Sequence, residues 1–128
     1  MRVLLDTHTL LWATFSQKLL GKEASAIIAE ESSTILVSAA SAWEVATKVR
    51  LGKLPGAEIL DREFFEVIDE AGYTLLSIDA ACALRAGRFT SDHSDPFDRM
   101  IAAQALAEDI PILSIDGKLD TFGIRRIW

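Results

Sequence analysis

The sequence predicts an α/β protein in which short strands alternate with helices and form a parallel sheet covered on both faces. Three observations carry this. Val3-Leu4-Leu5, Thr34 to Val37 and Pro111 to Ile115 are short apolar or β-branched runs without polar alternation, as expected of strands buried on both sides. Helical caps and apolar spacings fill the intervals between them. Two of the runs also lead into an aspartate, Asp6 and Asp116. A charge cannot sit unpaired inside such a sheet, so these acids belong at its carboxyl edge, where open α/β sheets bind ligands.

Each element follows from local chemistry. After Asp6 the chain turns into a short helix through Leu10, Leu11 and Trp12, with Thr7 able to cap it. Gly21 breaks the chain, and Ala24 to Glu31 is the next helix. Ser32-Ser33 turns into the strand Thr34 to Val37. Ser38 is a good N-cap for a helix from Ala39 to about Leu51, and Gly52 and Pro55-Gly56 end it. Leu60, Phe64 and Ile68 recur at four-residue spacing, so Glu58 to Ala71 reads as one amphipathic helix ended by Gly72. Tyr73 to Ile78 is a third strand, and Asp79 caps a helix to about Arg88. Phe89 to Ser94 is a polar loop. Asp95-Pro96 announces a helix to about Glu108, with Asp95 as N-cap and Pro96 in the first helical position. Arg125 to Ile127 closes the sheet. No repeat or linker interrupts the chain, and residues 1–128 read as one domain.

Composition narrows the class. The one cysteine, Cys82, excludes an internal disulfide and a cysteine zinc cage, and it reads as core. No apolar run approaches the roughly 18 residues of a membrane span, and Asp6 and His8 interrupt the only stretch resembling a leader. A cytoplasmic protein is expected. No glycine-rich phosphate loop is present. The net charge of −6 argues against nucleic acid when taken as a sum, but its distribution is uneven. Lys48, Arg50 and Lys53 are the only charges between Glu44 and Glu58, whereas six acids and one base lie from Glu58 to Glu70. His8 and His93 form no zinc pattern and read as polar surface residues. Trp12 and Trp43 read as packing.

Four acids are candidate ligands, each with a plain structural alternative. Asp6 could cap the first helix, although Thr7 can do that. Glu44 stands four residues before Lys48 in the favourable orientation for a helix ion pair. Asp98 sits where the free amides of a helix start favour an acid, while Asp95 is the better cap. Asp98, Ala102 and Ala105 share one face. Asp116 could be an Asp-Gly turn. Jointly placed at one sheet edge, Asp6, Glu44, Asp98 and Asp116 would repel unless cations or protons lay between them. Hard ions such as Mg²⁺ or Mn²⁺ suit such oxygen ligands and can activate water for phosphodiester hydrolysis. Thr7 and Ser114 adjoin proposed ligands and could orient them or bind water.

Val3 to His8, Val37 to Val45, Asp95-Pro96-Phe97-Asp98-Arg99 leading into Ile101 to Ala105, and Ser114-Ile115-Asp116 together resemble the PIN-domain family. Among its members they are most similar to VapC-type toxins of bacterial toxin–antitoxin pairs. The resemblance spans Met1 to Trp128. It implies a three-layer α/β/α fold with a short, mostly parallel sheet. It also implies an Mg²⁺- or Mn²⁺-dependent endoribonuclease, a homodimer, and a cognate VapB-like antitoxin. Carried over by motif, the acidic quartet is Asp6, Glu44, Asp98 and Asp116, with a hydroxyl at Ser114. Ser94 departs from the Arg that relatives often carry there. Lys48, Arg50, Lys53 and Arg99 are the expected RNA contacts. Two alternatives remain: a non-catalytic PIN-like module that binds RNA or protein, and a receiver-like metal-binding signalling domain using Asp79.

Overall fold

The computed structural model describes residues 1–128. Five strands, β1 (Arg2–Leu5), β2 (Thr34–Ser38), β3 (Thr74–Leu76), β4 (Ile112–Leu113) and β5 (Arg126–Ile127), form one sheet in the order β3-β2-β1-β4-β5. Every pairing is parallel, with Leu5 opposite both Val37 and Leu113. The central strand β1 is flanked by β2 and β4, which explains why Val3, Leu4 and Leu5 are all buried.

The pleat divides these residues between two cores, because successive side chains leave a strand on opposite faces. Val3, Leu5 and Val37 join one cluster with Leu10 of helix α1 (Thr7–Phe15), Ala24 of α2 (Lys22–Ala29) and Val45 of α3 (Ala39–Arg50). Leu60 of α4 (Glu58–Arg62) and Phe64 and Ile68 of α5 (Phe64–Ala71) complete it. Leu4, Leu36 and Ile112 join the other cluster with Ile101, Ala102 and Ala105 of α7 (Pro96–Glu108). Helix α6 (Ala80–Arg88) packs outside α7 through Cys82, Ala86 and Ala103. The result is the three-layer arrangement expected from the sequence.

One expected helix is two. The backbone at Glu63 leaves helical geometry (φ −119°, ψ 36°), which separates α4 from α5. The break lies between Leu60 and Phe64, so both still reach the core. The third strand is shorter than Tyr73 to Ile78, because only Thr74–Leu76 find partners on β2.

Gln104 shows how α7 is held. It is buried in an otherwise small and apolar segment, where an unpaired amide would be costly. Its Oε1 accepts a hydrogen bond from the Ser38 hydroxyl, and its Nε2 donates to the Ser77 carbonyl at 3.2 Å. The residue therefore ties α7 to the ends of β2 and β3. Gln104→Leu keeps the bulk and removes both bonds, so a loss of about 1–3 kcal/mol in unfolding free energy is expected. Urea denaturation checks this; an unchanged midpoint would show that the tie is dispensable.

Candidate functional site

In an all-parallel sheet every strand ends at the same edge. The residues that follow β1, β2 and β4 therefore meet there, though they lie far apart in sequence. Asp6 follows β1, Ser38 caps α3 and so carries Glu44 to the edge, and Ser114 and Asp116 follow β4. Helix α7 brings Asp95 and Asp98. A cavity of about 140 Å³ results, lined by Asp6, Thr7, His8, Glu44, Lys48, Asp95, Asp98, Ile115 and Asp116. All four acids of the expected quartet line it, and Asp95 makes a fifth. A larger groove of about 620 Å³, lined among others by Phe15, Ile28, Ile59 and Tyr73, is mainly apolar and holds none of these acids. Chemistry, not size, selects the smaller cavity.

Each acid is fixed by a neighbour. Asp6 is the N-cap of α1: its Oδ1 accepts from the Thr9 amide at 2.7 Å, and its Oδ2 accepts from the Ser114 hydroxyl. Capping by Thr7 is thus corrected; its hydroxyl instead meets that of Ser41 at 3.0 Å. An aspartate in extended conformation just before the helix reaches the free amide directly, so capping and cavity lining coexist in Asp6. Asp95 caps α7 through the Phe97 and Asp98 amides at 2.9 and 3.2 Å, as expected. Ser114 couples two acids, since its Oγ donates to Asp6 and accepts from the Asp116 amide at 2.9 Å. Asp116 Oδ1 accepts from the Lys118 amide at 3.0 Å and caps the 3-10 segment Gly117–Phe122. Glu44 forms the ion pair with Lys48 that its spacing predicts, and it also lines the cavity at 4% exposure.

Burial and crowding set the electrostatics of the cavity. Burial pushes the Asp98 carboxyl up to about 6; a hydrogen bond from His93 opposes this, and the charges of Asp95 and Glu44 add to it. Burial also holds Asp6 above the usual carboxylate range, outweighing its bonds to Ser114 and Thr9. Burial lowers Lys48, but the hydrogen bond and charge of Glu44, helped by Asp95 and Asp98, outweigh it and leave the ammonium above its ordinary value. Five acids against this one lysine leave the cavity short of positive charge. Oxygen donors in this number suit a hard divalent ion. No three His, Cys, Asp or Glu side chains close around a common ion position in this arrangement. The carboxylates are instead turned toward the neighbours named above.

The expected basic contacts divide. Lys48 lines the cavity, with its ammonium on Glu44 and 5.9 Å from the Phe97 ring. Arg50 is exposed, but two residues further along a helix points to the opposite side, so Lys48 and Arg50 do not form one strip. Lys53 is exposed in the turn after α3. Arg99 is a correction: its guanidinium donates to the carbonyls of Ala86, Gly87, Phe89, Ser91 and His93, so none of its five N–H groups remains for a phosphate.

Two histidines read as plain surface residues belong to the site's surroundings. His8 lines the cavity. His93 places Nε2 at 2.8 Å from Asp98 Oδ2. A loop histidine five residues from an acid follows no helix or strand spacing, so no sequence signal marks the pair. Trp43 packs as expected, meeting the Phe97 ring edge-on at 4.6 Å, and is 56% exposed. Asp79, the acid a receiver-like domain would need, caps α6 and does not line the cavity.

Fold and site together define an α/β protein with an acidic pocket at the carboxyl edge of a parallel sheet. The chain belongs to the PIN domain family, whose match covers residues 3–124. It is 42% identical over 59 residues to Ribonuclease VapC16 of Mycobacterium tuberculosis, and the aligned part is 46% of this chain and 42% of that protein. The chain thus spans under half of that relative's length. Among solved structures, VapBC2 of Rickettsia felis bound to a promoter DNA fragment matches with TM-score 0.70 at 16% identity, covering 99% of this chain and 98% of that one. VapBC-1 of Haemophilus influenzae matches with TM-score 0.65 at 16% identity, covering 99% and 97%. FitAcB of Neisseria gonorrhoeae matches with TM-score 0.62 at 18% identity, covering 98% and 96%. At these identities the structures speak for the fold.

Proposed function

We propose that this protein is a divalent-metal-dependent endoribonuclease and the toxin of a VapBC-type pair. The observation that carries the reading is the convergence of Asp6, Glu44, Asp98 and Asp116 on one small cavity from four separate segments. The likeness to a relative named as a VapC ribonuclease supports RNA as the substrate. The VapBC and FitAcB structural neighbours support a VapB-like antitoxin partner.

Asp6, Glu44, Asp98 and Asp116 would hold Mg²⁺ or Mn²⁺, which when bound would supply an activated water and offset the negative charge that develops on the phosphoryl and leaving oxygens. The other residues serve that arrangement. Ser114 orients Asp6 and the Asp116 backbone, Asp95 secures the first turn beneath Asp98, and Thr7 braces α1 against α3 through Ser41. Lys48 offers an ammonium to the substrate phosphate. Lys53, exposed in the turn after α3, lies further along the RNA path, and Arg50, turned away from Lys48, lies off it. A homodimer would present two such cavities.

The test is cleavage of single-stranded RNA with Mn²⁺, with and without chelator. Chelator-sensitive cleavage, suppressed by the co-expressed antitoxin, supports the reading. RNA binding without cleavage would favour a non-catalytic module instead. Binding to the Asp98→Asn protein should also weaken steeply with salt. Lys53→Gln should flatten that slope by about one unit, whereas Arg50→Gln should leave it unchanged. An unchanged slope in Lys53→Gln would remove that residue from the RNA path.

A further inference from the structure

We propose that Arg99 and His93 act in series as positioning residues that set the orientation of Asp98 for metal. The inference rests on the metal reading of the site. It goes beyond that reading by assigning work to two residues outside the acidic set.

The chain of contacts is continuous. Arg99 follows Asp98 on α7, yet its side chain turns back onto the segment joining α6 to α7. Nε donates to the Ala86 carbonyl at 2.8 Å, Nη1 to those of Ser91 and His93 at 3.1 and 2.8 Å, and Nη2 to those of Gly87 and Phe89 at 3.4 and 2.6 Å. Five donors thus meet five carbonyls, some of them left over at the end of α6. Such a loop has no ladder of its own, and this one planar cation replaces the ladder.

The pinned loop presents His93. Arg99 holds its carbonyl, and its amide donates to Ser91 Oγ at 3.1 Å. Ser91 Oγ in turn meets the Thr121 hydroxyl at 2.9 Å. The imidazole lies edge-on to Phe122 at 5.5 Å between ring centres. With backbone and ring both fixed, Nε2 is delivered 2.8 Å from Asp98 Oδ2. When Asp98 is ionised, that nitrogen donates. One carboxylate oxygen is then held by His93, and no side chain or backbone group of the chain takes the other. Hydrogen-bonded partners of this kind orient metal-binding carboxylates and typically change metal affinity by about 10–100-fold.

Mn²⁺ binding to the whole protein, measured by calorimetry without RNA, tests this. His93→Phe keeps a ring against Phe122 and removes the donor; its dissociation constant should rise by about 10–100-fold. His93→Gln places an amide N–H near the same oxygen and should recover most of the affinity. A bulk structural role would not produce that order. Arg99→Lys keeps the charge but cannot serve five carbonyls, and should weaken Mn²⁺ by about tenfold while leaving the salt dependence of RNA binding unchanged. Wild-type affinity in His93→Phe would overturn the inference alone. So would an Arg99→Lys protein with normal Mn²⁺ affinity and an altered salt slope, since Arg99 would then be a phosphate contact. Failure of the wild type to bind Mn²⁺ would overturn the metal reading and this inference with it.

Discussion

Asp98→Asn is expected to lose RNA cleavage by at least about 10²-fold, the scale of removing one key electrostatic group. It should also leave the metal-free protein more stable at neutral pH than the wild type. Both effects come from the same burial. The Asp98 carboxyl is pushed up to about 6, against 3.8 for a free aspartate, so the folded state binds this proton more tightly than the unfolded state. The sign follows. This group costs stability while ionised, the cost fades as pH falls from about 6, and it is absent below 3.8. A shift of about two units corresponds to roughly 3 kcal/mol, and partial contact with water reduces the usable figure to about 1–2 kcal/mol. Asparagine carries no proton to trade. The wild type should therefore gain on the variant in metal-free thermal melts between about pH 7 and pH 4. Asp6, also raised by burial, should behave in the same direction when changed to Asn. Mn²⁺ should stabilise the wild type by mass action and the two variants far less. Equal Mn²⁺ stabilisation of all three proteins would remove Asp6 and Asp98 from the metal site.

The second large effect is expected at Lys48. Its ammonium pairs with Glu44, whose side chain is only 5% exposed, and it also faces the charges of Asp95 and Asp98. It is the lysine that offsets a cavity lined by five acids. Breaking a buried pair by removing one partner can cost about 3–5 kcal/mol, and the 26% exposure of Lys48 lowers that here to about 1–3 kcal/mol. Lys48→Met should accordingly lower the metal-free melting temperature by several degrees. Mn²⁺ should then stabilise this variant more than the wild type, because the cation supplies the charge the lysine provided. Glu44→Gln separates the two roles of the pair. If Glu44 serves only Lys48, the variant keeps cleavage; if it serves metal, cleavage and Mn²⁺ stabilisation fall together. An unchanged melting temperature in metal-free Lys48→Met would show that the lysine is merely a solvated neighbour.

Much of the fold was legible because its signals are local. Short, unalternating apolar runs marked β1, β2 and β4 as strands buried on both faces, and Ser38, Asp79 and Asp95 announced their helices by capping chemistry. The amphipathic spacing of Leu60, Phe64 and Ile68 was also correct, yet it could not reveal the break at Glu63. Spacing reports which face is buried, not whether the backbone stays helical between two anchors. Asp6 shows a limit of another kind. Elimination assigned the cap to Thr7, whereas the folded chain uses Asp6 for both capping and cavity lining, since the two oxygens of a carboxylate can serve different partners.

By itself the sequence determined the element types, the parallel sheet, and which acids could reach its carboxyl edge, because strand burial and helix capping depend on neighbours in the chain. Tertiary structure alone decided what those acids and cations touch. Ser114 joins Asp6 to Asp116, His93 meets Asp98, and Arg99, adjacent to Asp98 in sequence, spends its guanidinium on the loop before α7. Sequence adjacency places a Cα, but a long side chain goes where unpaired carbonyls and buried charge make contact most favourable. Those partners come from segments that only the fold brings together.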